Sequence, residues 1–508
     1  MDKIIIIDFG GQYSHLIARR IRELGVYAEI KPPTITSRDI LNDSDIKGII
    51  FSGGAASVTE KNSPKCDKNL LNLGIPILGI CYGHHLISFL DNGQVIQGEF
   101  GEYGLAQLFI KGDSLLFRGL REKQNVWMNH RDFVIKLPSG YSTTASTKYS
   151  KIAAFENSER KIYGVQFHPE VTHTENGKQI LKNFVFEICE AKANWRSRDI
   201  IALIKDEIKN IIGDRKALIG LSGGVDSSTA AILVKEVIGD RLLALYVDSG
   251  LMRAGETEFV VNAFAKFDLN LRIISAQEKF FSALRGITEP EDKRKIIGKL
   301  FIDIFEKVAR KENIDILIQG TIYSDRIESG VTKHSATIKS HHNVGGLPEK
   351  ISLEIYEPLR NLYKDEVRKI ARRLGLTNEI IKRHVFPGPG LAIRVLGEVT
   401  PKKVTIVRQA TQIIEEELKK FGLYEKVWMA FAVLLPIRSV GIQGDARTYK
   451  YPIVVRIVQS QDAMTANFVK IPYNILEQIA TRITNEIGEV NRVVYDITNK
   501  PPATMEWE

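Results

Sequence analysis

The stretch Ile75-Pro76-Ile77-Leu78-Gly79-Ile80-Cys81-Tyr82-Gly83 combines a short apolar run, a turn flanked by glycines and the start of a helical pattern. A short, almost continuous apolar run indicates a strand that is buried on both faces of a sheet. Similar runs lie at residues 3–8, 48–51 and 162–167, and a helical pattern follows the first of them. The sequence therefore predicts a parallel sheet covered by helices on both faces.

A second α/β pattern and a different C-terminal pattern follow this region. Strands are predicted at 217–221 and 242–247, and apolar residues three and four positions apart predict a helix at 292–311. Two prolines in Phe386-Pro387-Gly388-Pro389-Gly390 exclude a helix there. The fold class is therefore α/β, with two doubly wound parallel-sheet domains followed by a smaller α+β domain. We predict domains at residues 1–192, 193–385 and 386–508.

The composition excludes several classes of protein. The chain has 508 residues, a formal net charge of +9 and 44% hydrophobic residues, which is typical of a globular protein with several domains. No apolar run approaches the roughly 20 residues of a membrane helix. Three cysteines cannot form a disulfide framework in a chain of this length, which favours a reducing compartment. We expect a cytoplasmic protein with no membrane contact.

A nucleophile is predicted at Cys81, in the turn between a strand and a helix. Such an elbow exposes the side chain, and the helix dipole favours a thiolate. His168 and Glu170, spaced by two near a strand end, point the same way, so His168 can deprotonate Cys81 while Glu170 orients the imidazole. The turn at Gly54 offers a backbone N–H to an oxyanion. The alternative for Cys81 is a buried core thiol.

These motifs resemble the class I glutamine amidotransferase domain, which has a GxCxGxQ elbow and a distant HPE. The resemblance implies that Cys81 attacks the side-chain amide of glutamine, that His168 and Glu170 complete the triad, and that the amides of Gly54 and Tyr82 form the oxyanion hole. The chain departs from the family at His85, where the pattern has glutamine. His85 can still donate or accept a hydrogen bond, but it lacks the neighbouring donor and acceptor of a side-chain amide.

A second chemical motif is Ser222-Gly223-Gly224-Val225-Asp226-Ser227-Ser228, between a predicted strand and a helix that we expect to begin near Ser228. Glycines allow close approach to phosphate, and N–H and hydroxyl groups at a helix N-terminus supply donors. The run is similar to the PP-loop of ATP pyrophosphatases, which implies ATP binding with Mg²⁺. Asp226 is the candidate Mg²⁺ ligand, and Asp248 follows the next predicted strand. No tightly bound organic cofactor is expected.

Together, the two motifs and several later segments resemble the glutamine-hydrolysing GMP synthetase (GMP synthase) family over essentially the whole chain. The segments include Ile338-Lys339-Ser340-His341-His342-Asn343, Phe386-Pro387-Gly388-Pro389-Gly390 and Lys500-Pro501-Pro502-Ala503-Thr504-Met505-Glu506. The resemblance implies that ATP adenylates XMP and that ammonia from glutamine displaces AMP. It also implies a homodimer formed through the C-terminal domain, in which residues near the C-terminus complete the XMP site.

Further site residues follow from the same resemblance. It implies XMP contacts at Arg294, Gln443, Lys500 and Glu506, and a lid over ATP that contains Lys339, His341 and His342. Each XMP candidate has an alternative role as an ordinary surface group. We expect no nucleic-acid partner.

Three other functions stay open on the residues alone. The first is a different PP-loop enzyme, such as an NAD synthetase fused to a glutaminase. The second is an RNA-binding PP-loop protein, because the first 190 residues are nearly neutral and the positive excess lies beyond them. Residues 191–508 contain no cysteine, which excludes sulfur transfer through that region. The third is a regulatory protein with an inactive glutaminase, suggested only by His85.

Overall fold

The computed structural model describes residues 1–323, 352–460 and 466–508. The chain divides into two compact units, Met1–Asp199 and Ile200–Glu508. The predicted boundary after residue 192 lies near this division, the boundary after residue 385 lies inside the second unit, and both stay predictions. The predicted lid residues Lys339, His341 and His342 lie outside the described residues. In the described part of the chain, no helix is long and apolar enough to cross a membrane.

The first unit contains one large mixed sheet. Its strands are β1 Lys3–Ile7, β2 Tyr27–Lys31, β3 Ile46–Phe51, β4 Ile77–Ile80, β5 Gln94–Ile110, β6 Lys123–Lys136, β7 Ser142–Ser146, β8 Ala154–Asn157 and β9 Ile162–Val165. Its helices are α1 Ser14–Glu23, α2 Ser37–Leu41, α3 Tyr82–Leu90 and α4 Gly177–Lys182. The strand order is β2-β1-β3-β4-β9-β8-β7-β5-β6.

The parallel part of this sheet, β2-β1-β3-β4-β9, confirms the predicted architecture. Ile4 and Ile6 pack in one apolar core, whereas Ile5 and Ile7 pack in another, so helices cover both faces. Four antiparallel strands extend the sheet and were not predicted. In β6 buried and exposed residues alternate. Three of the buried residues are polar, so the sequence does not show an alternation of apolar and polar residues: Gln124, His130 and Asp132.

The second unit begins with an all-parallel sheet of order β12-β11-β10-β13-β14. Its strands are β10 Ala217–Gly220, β11 Leu242–Asp248, β12 Leu271–Ser275, β13 Ile316–Ile318 and β14 Glu354–Tyr356. The helices of this part of the chain are α5 Ser197–Ile212, α6 Val225–Ile238, α7 Glu256–Phe264, α8 Gln277–Ala283, α9 Pro290–Glu312, α10 Lys364–Arg373 and α11 Asn378–Ile381. The strand order reverses direction beside β10, which creates a crevice at the carboxyl ends of β10 and β13.

The C-terminal part is the expected smaller α+β structure. It contains α12 Pro401–Lys420, β15 Met429–Leu434, β16 Ser439–Gln443, β17 Ala446–Ser460, β18 Ala466–Phe468, α13 Tyr473–Glu486 and β19 Val490–Tyr495. The long strand β17 pairs antiparallel with β15, β16 and β18 and parallel with β19. Apolar side chains of α12 and α13 pack on this sheet in a single core.

Candidate active sites

Cys81 lies between β4 and α3, at the carboxyl edge of the first sheet. Its φ angle is 53°, which is in the left-handed region, and its side chain is buried. A Cβ on Gly79 would lie 2.6 Å from the carbonyl of Gly83, so only glycine allows the strand and helix to approach this closely. Sγ lies 3.7 Å from the Asn129 carbonyl oxygen. The predicted elbow is therefore present, with the thiol at the helix N-terminus.

His168 and Glu170 follow β9 at the same edge of the sheet. Nδ1 of His168 donates to Oε1 of Glu170 at 2.7 Å, and their side chains are 5% and 0% exposed. Nε2 of His168 is buried and has no hydrogen-bond partner among the described residues. Burial lowers the pKa of His168, but the negative charges of Glu170 and Cys81 outweigh burial and raise this pKa well above its usual value. The His168–Glu170 pair therefore favours a protonated imidazolium beside Cys81.

The candidate oxyanion donors lie beside this triad. A Cβ on Gly53 would lie 3.2 Å from Cε1 of His168 and 3.8 Å from Cβ of Cys81. A Cβ on Gly54 would lie 3.1 Å from Cγ of Tyr82, which is the first residue of α3. The first N–H groups of a helix have no partner within the helix. The structure therefore brings Gly54, Tyr82 and the triad together.

His85 lies one turn along α3 from Cys81 and is buried. Its Nε2 lies 2.7 Å from Oε1 of Gln166, two residues before His168. Burial lowers the pKa of His85 to about 4, so the imidazole is neutral at pH 7. The ring of His130 lies 6.3 Å from that of His85. Sequence reasoning did not identify Gln166 as its partner, because an isolated glutamine in a strand-end segment carries no pattern.

The PP-loop connects β10 to α6, and this helix begins at Val225 rather than near Ser228. Gly223 has a φ of +69°. The Ser222 and Ser227 hydroxyl oxygens are 3.0 Å apart, and the Ser228 hydroxyl donates to the Gly224 carbonyl at 2.7 Å. This loop therefore leads directly into a helix N-terminus, where backbone amides attract anions.

The loop lies at the crevice where the strand order reverses. A Cβ on Gly320, which follows β13, would lie 2.8 Å from the backbone nitrogen of Ser227. The carboxyl ends of β10 and β13 therefore meet at the first turn of α6. Ligands of open α/β sheets bind at such switch points.

Asp226 has one carboxylate oxygen paired and one unpaired. Its Oδ2 pairs with Lys364, the first residue of α10. Its Oδ1 is buried without a hydrogen-bond partner among the described residues. A carboxylate oxygen of this kind fits Mg²⁺, which takes one or two protein carboxylates and substrate phosphates. Within residues 1–323, 352–460 and 466–508, three or more His, Cys, Asp or Glu side chains never cluster as metal ligands.

Lys364 is a candidate phosphate-binding residue that sequence reasoning missed. The signal, a lysine at the start of a helix after β14, is too common to single out. Asp248, in contrast, caps a turn: it accepts from Gly250 N at 3.0 Å and from Gln277 Nε2 at 2.8 Å. Each of its two oxygens therefore accepts one hydrogen bond from the protein.

Two of the predicted XMP residues, Arg294 and Glu506, form hydrogen bonds at the C-terminal end of the chain. Arg294 donates to the backbone oxygen of Glu508. Glu506 accepts from Arg394 Nε and Nη2 at 3.0 and 2.8 Å. Lys500 forms an isolated β-bridge with Ala466. The guanidinium groups of Arg294 and Arg394 therefore already contact oxygens of the same chain.

Gln443 lies apart from these residues. It pairs with Ala446, the first residue of β17, whereas Ala466 pairs with Ser460, the last residue of β17. A strand of 15 residues at about 3.3 Å per residue extends up to about 45 Å. Gln443 and Lys500 therefore lie at opposite ends of β17 within one chain.

Three family models match the chain. Glutamine amidotransferase class-I matches residues 5–188, NAD synthase matches 197–295, and GMP synthase C terminal domain matches 416–507. The match to the NAD synthase model includes the PP-loop, and the third model is that of the GMP synthase C-terminal domain.

Relatives named GMP synthase [glutamine-hydrolyzing] match the full length. The relative from Symbiobacterium thermophilum is 52% identical and is covered over 99% of its length by 100% of this chain. The relative from Caldanaerobacter subterraneus subsp. tengcongensis is 51% identical with the same coverage of both chains. The relative from Carboxydothermus hydrogenoformans is 53% identical, again over 100% of this chain and 99% of the relative. The chain belongs to the glutamine-hydrolysing GMP synthase family.

Proposed function

We propose that the chain makes GMP at two sites, a glutaminase site around Cys81 and a synthetase site around the PP-loop. The observation that carries the glutaminase assignment is the buried His168–Glu170 pair beside Cys81. The thiolate attacks the side-chain carbonyl carbon of glutamine, and the N–H groups of Gly54 and Tyr82 stabilise the oxyanion. His168 gives its proton to the departing ammonia. The product of this step is a glutamyl thioester on Cys81. His168 then takes a proton from water as water cleaves the thioester.

At the second site, O2 of the xanthine ring attacks the α-phosphorus of ATP and pyrophosphate leaves. The N–H and hydroxyl groups of the PP-loop bind the departing phosphates, and Lys364 adds a positive charge beside them. Mg²⁺ held by Asp226 and the phosphates would neutralise negative charge there. Ammonia then attacks C2 of the adenylated ring, and AMP leaves with the oxygen. Arg294, Glu506 and Lys500 are the proposed contacts with XMP.

The proposed lid role of Lys339, His341 and His342 follows from the family resemblance alone. A cytoplasmic location is supported by Cys66, Cys81 and Cys189, which are all free thiols.

We also propose a homodimer formed through the hairpin of β16 and β17. Val440 and Ile442 lie on one face of β16, and Val440 is opposite Tyr449 on β17. These three side chains are exposed, Ile442 by 79%. A second copy would cover this apolar face. Gln443 lies on the other face of β16, so to reach the residues near Lys500 of the other copy it would exchange its hydrogen bonds to the Thr484 and Val490 carbonyls for contacts there. The separation of Gln443 from Lys500 in one chain supports this arrangement.

A coupled assay tests the proposed reaction. Purified protein is given XMP, ATP and Mg²⁺, and GMP, AMP and pyrophosphate are measured with glutamine or with ammonium chloride. Product from both nitrogen sources is expected. Product from ammonium alone would place the defect at the glutaminase site, and product from neither would reject the proposed function.

Complementation tests the homodimer. Gln443→Ala and Lys500→Ala are each expected to be inactive alone. The two variants are then co-expressed in equal amounts, so that about half of the dimers contain one subunit of each variant. If each site takes Gln443 from the partner, one of the two sites in such a dimer is intact. The mixture then recovers about a quarter of the wild-type activity. A mixture as inactive as its components would show that both residues act in the same subunit.

A further inference from the structure

An ion pair that none of the proposed chemistry uses lies directly under the PP-loop. Arg383 Nη1 and Nη2 donate to Glu256 Oε1 and Oε2 at 2.7 and 2.8 Å. The guanidinium also lies 3.9 Å from the ring centroid of Phe259. The side chains of Arg383 and Glu256 are 15% and 2% exposed. The two parallel hydrogen bonds and the aromatic ring restrict the orientation of the Arg383 guanidinium relative to Glu256.

The pair contacts the PP-loop at Gly223. A Cβ at this position would lie 2.6 Å from Glu256 Oε1 and 3.1 Å from Arg383 Nη1. The backbone of Gly223 also has a φ of +69°, which glycine adopts without strain. The backbone of Gly223 therefore packs directly against the Arg383–Glu256 ion pair. A shift of either side chain would change where the following amides at the start of α6 point.

Arg383 also begins the segment Arg383–Arg394, which we name the coupling segment. Arg253 holds its first part, because Nη2 donates to the His384 carbonyl at 2.7 Å and the guanidinium lies 4.6 Å from the Phe386 ring centroid. His384 stacks on Tyr424 with ring centroids 3.8 Å apart. The first part of the segment is thus fixed on two sides.

The far end of the coupling segment reaches the predicted XMP site. The Arg394 guanidinium lies 5.3 Å from the Phe386 ring centroid, and Arg394 forms the two hydrogen bonds with Glu506 given above. Between the two ends, Leu391 N donates to the Leu251 carbonyl at 2.7 Å. Packed contacts therefore run without a gap from Gly223 to Glu506.

We propose that Glu256 and Arg383 are positioning residues for adenylation. The pair holds Gly223, and through the coupling segment it fixes the PP-loop relative to Glu506, so that the triphosphate and the nucleotide to be adenylated meet in one geometry. This inference rests on the proposed function of the PP-loop as the ATP site. Positioning matters because a displacement of about 1 Å at a reacting centre can cost 100-fold in rate.

A double-mutant cycle tests the inference. Pyrophosphate release is measured with XMP, Mg²⁺ and ammonium, at varied ATP, for Arg383→Gln, Glu256→Gln and the double variant. Each single variant is expected to lower kcat by about 10- to 100-fold and to raise the KM for ATP. The double variant is expected to be no worse than the poorer single variant, because the two residues act as one unit. Arg383→Lys keeps the positive charge but cannot form two parallel hydrogen bonds with Glu256. Its rate of pyrophosphate release is expected to lie between those of Arg383→Gln and the wild type.

Arg482→Gln is the matched control. Arg482 of α13 forms ion pairs with Glu416 and Glu417 of α12 and with Glu486 of its own helix, all in the same unit. This variant is expected to keep the wild-type kcat and KM for ATP. Thermal unfolding of every variant shows whether a lost rate follows lost structure, and Arg383→Lys serves if the glutamine variants do not fold.

The outcomes separate the inference from the proposed function. If the wild-type chain releases no pyrophosphate with XMP and ATP, the proposed function itself fails. If the wild type is active and the variants match it, or if the two single effects add fully in the double variant, the positioning role is wrong. A loss equal to that of Arg482→Gln would also reject it.

Discussion

The proposed glutaminase site around Cys81 and the proposed synthetase site around the PP-loop are prepared for their ligands in opposite ways. Around Cys81, the triad is buried, hydrogen-bonded and contained in one sheet edge. Around the PP-loop and the predicted XMP site, the positive groups already pair with acids of the same unit, as Lys364 does with Asp226 and Arg394 with Glu506. The side chains proposed to react with glutamine are therefore already in contact before the substrate binds. At the proposed synthetase site, the positive groups form ion pairs within the unit, and the ATP and XMP phosphates would have to replace the acidic partners.

Cys81→Ala tests the separation of the two sites most strongly. GMP formation from glutamine is expected to fall by at least about 10⁴-fold, because the covalent nucleophile is lost. Formation from ammonium is expected to stay within about 2-fold of wild type. Cys189→Ala, which removes another buried thiol of the same unit, is the control and should leave both rates unchanged. Loss of both activities in a folded Cys81→Ala protein would contradict the two-site comparison.

Asp226→Ala tests the synthetase side. Pyrophosphate release is expected to fall by roughly 10³-fold with either nitrogen source, because the phosphates lose an electrostatic partner and Lys364 loses its own. Asp240→Ala is the control, since Asp240 pairs with Lys235 near the other end of α6. Retained pyrophosphate release by Asp226→Ala would move the ATP site away from this loop.

Glu170→Gln tests whether the hydrogen bond between Glu170 and His168 sets the protonation state of His168 before glutamine binds. The glutamine-dependent rate is expected to fall by about 10²-fold. Burial alone lowers the pKa of His168, and Glu170 is a main cause of its raised value. Without this carboxylate the imidazolium loses its proton at lower pH, so the basic limb of kcat/KM for glutamine should move to lower pH. An unchanged pH profile would show that Glu170 does not control the protonation of His168.

His85→Ala is expected to have the smallest effect of the series. The change leaves the buried Gln166 oxygen without its partner, which costs about 1–3 kcal/mol in the free energy of unfolding. His85→Gln should cost less, because an amide can pair with Gln166. Denaturant unfolding and the KM for glutamine measure both variants. Equal stability of His85→Ala and wild type would mean that this hydrogen bond contributes nothing to the fold.

The elements that the sequence predicts well are those with local patterns. The parallel strands, the Cys81 elbow and the PP-loop each combine an apolar run with glycines in a few consecutive residues. Homology of the full chain supports the family, while the roles of individual residues stay predictions. The first sheet carries four antiparallel strands that were not expected, because buried polar residues in β6 mask its alternation.

Pairs between distant residues could not be predicted. Arg383 and Glu256 are separated by 127 positions, and Lys364 and Asp226 by 138. Each is an ordinary charged residue in its own segment, and only the strand order brings the segments together. The position of Gln443 relative to Lys500 similarly depends on the length and pairing of β17.

The backbone of Cys81 links catalysis to stability. A non-glycine residue in the left-handed region costs about 1–3 kcal/mol, and the surrounding structure must supply this free energy. Glycine would relieve the strain at this position, although its freedom in the unfolded chain offsets part of the gain. The cysteine therefore adds strain to the folded backbone, while its side chain is buried in the core and supplies the proposed nucleophile.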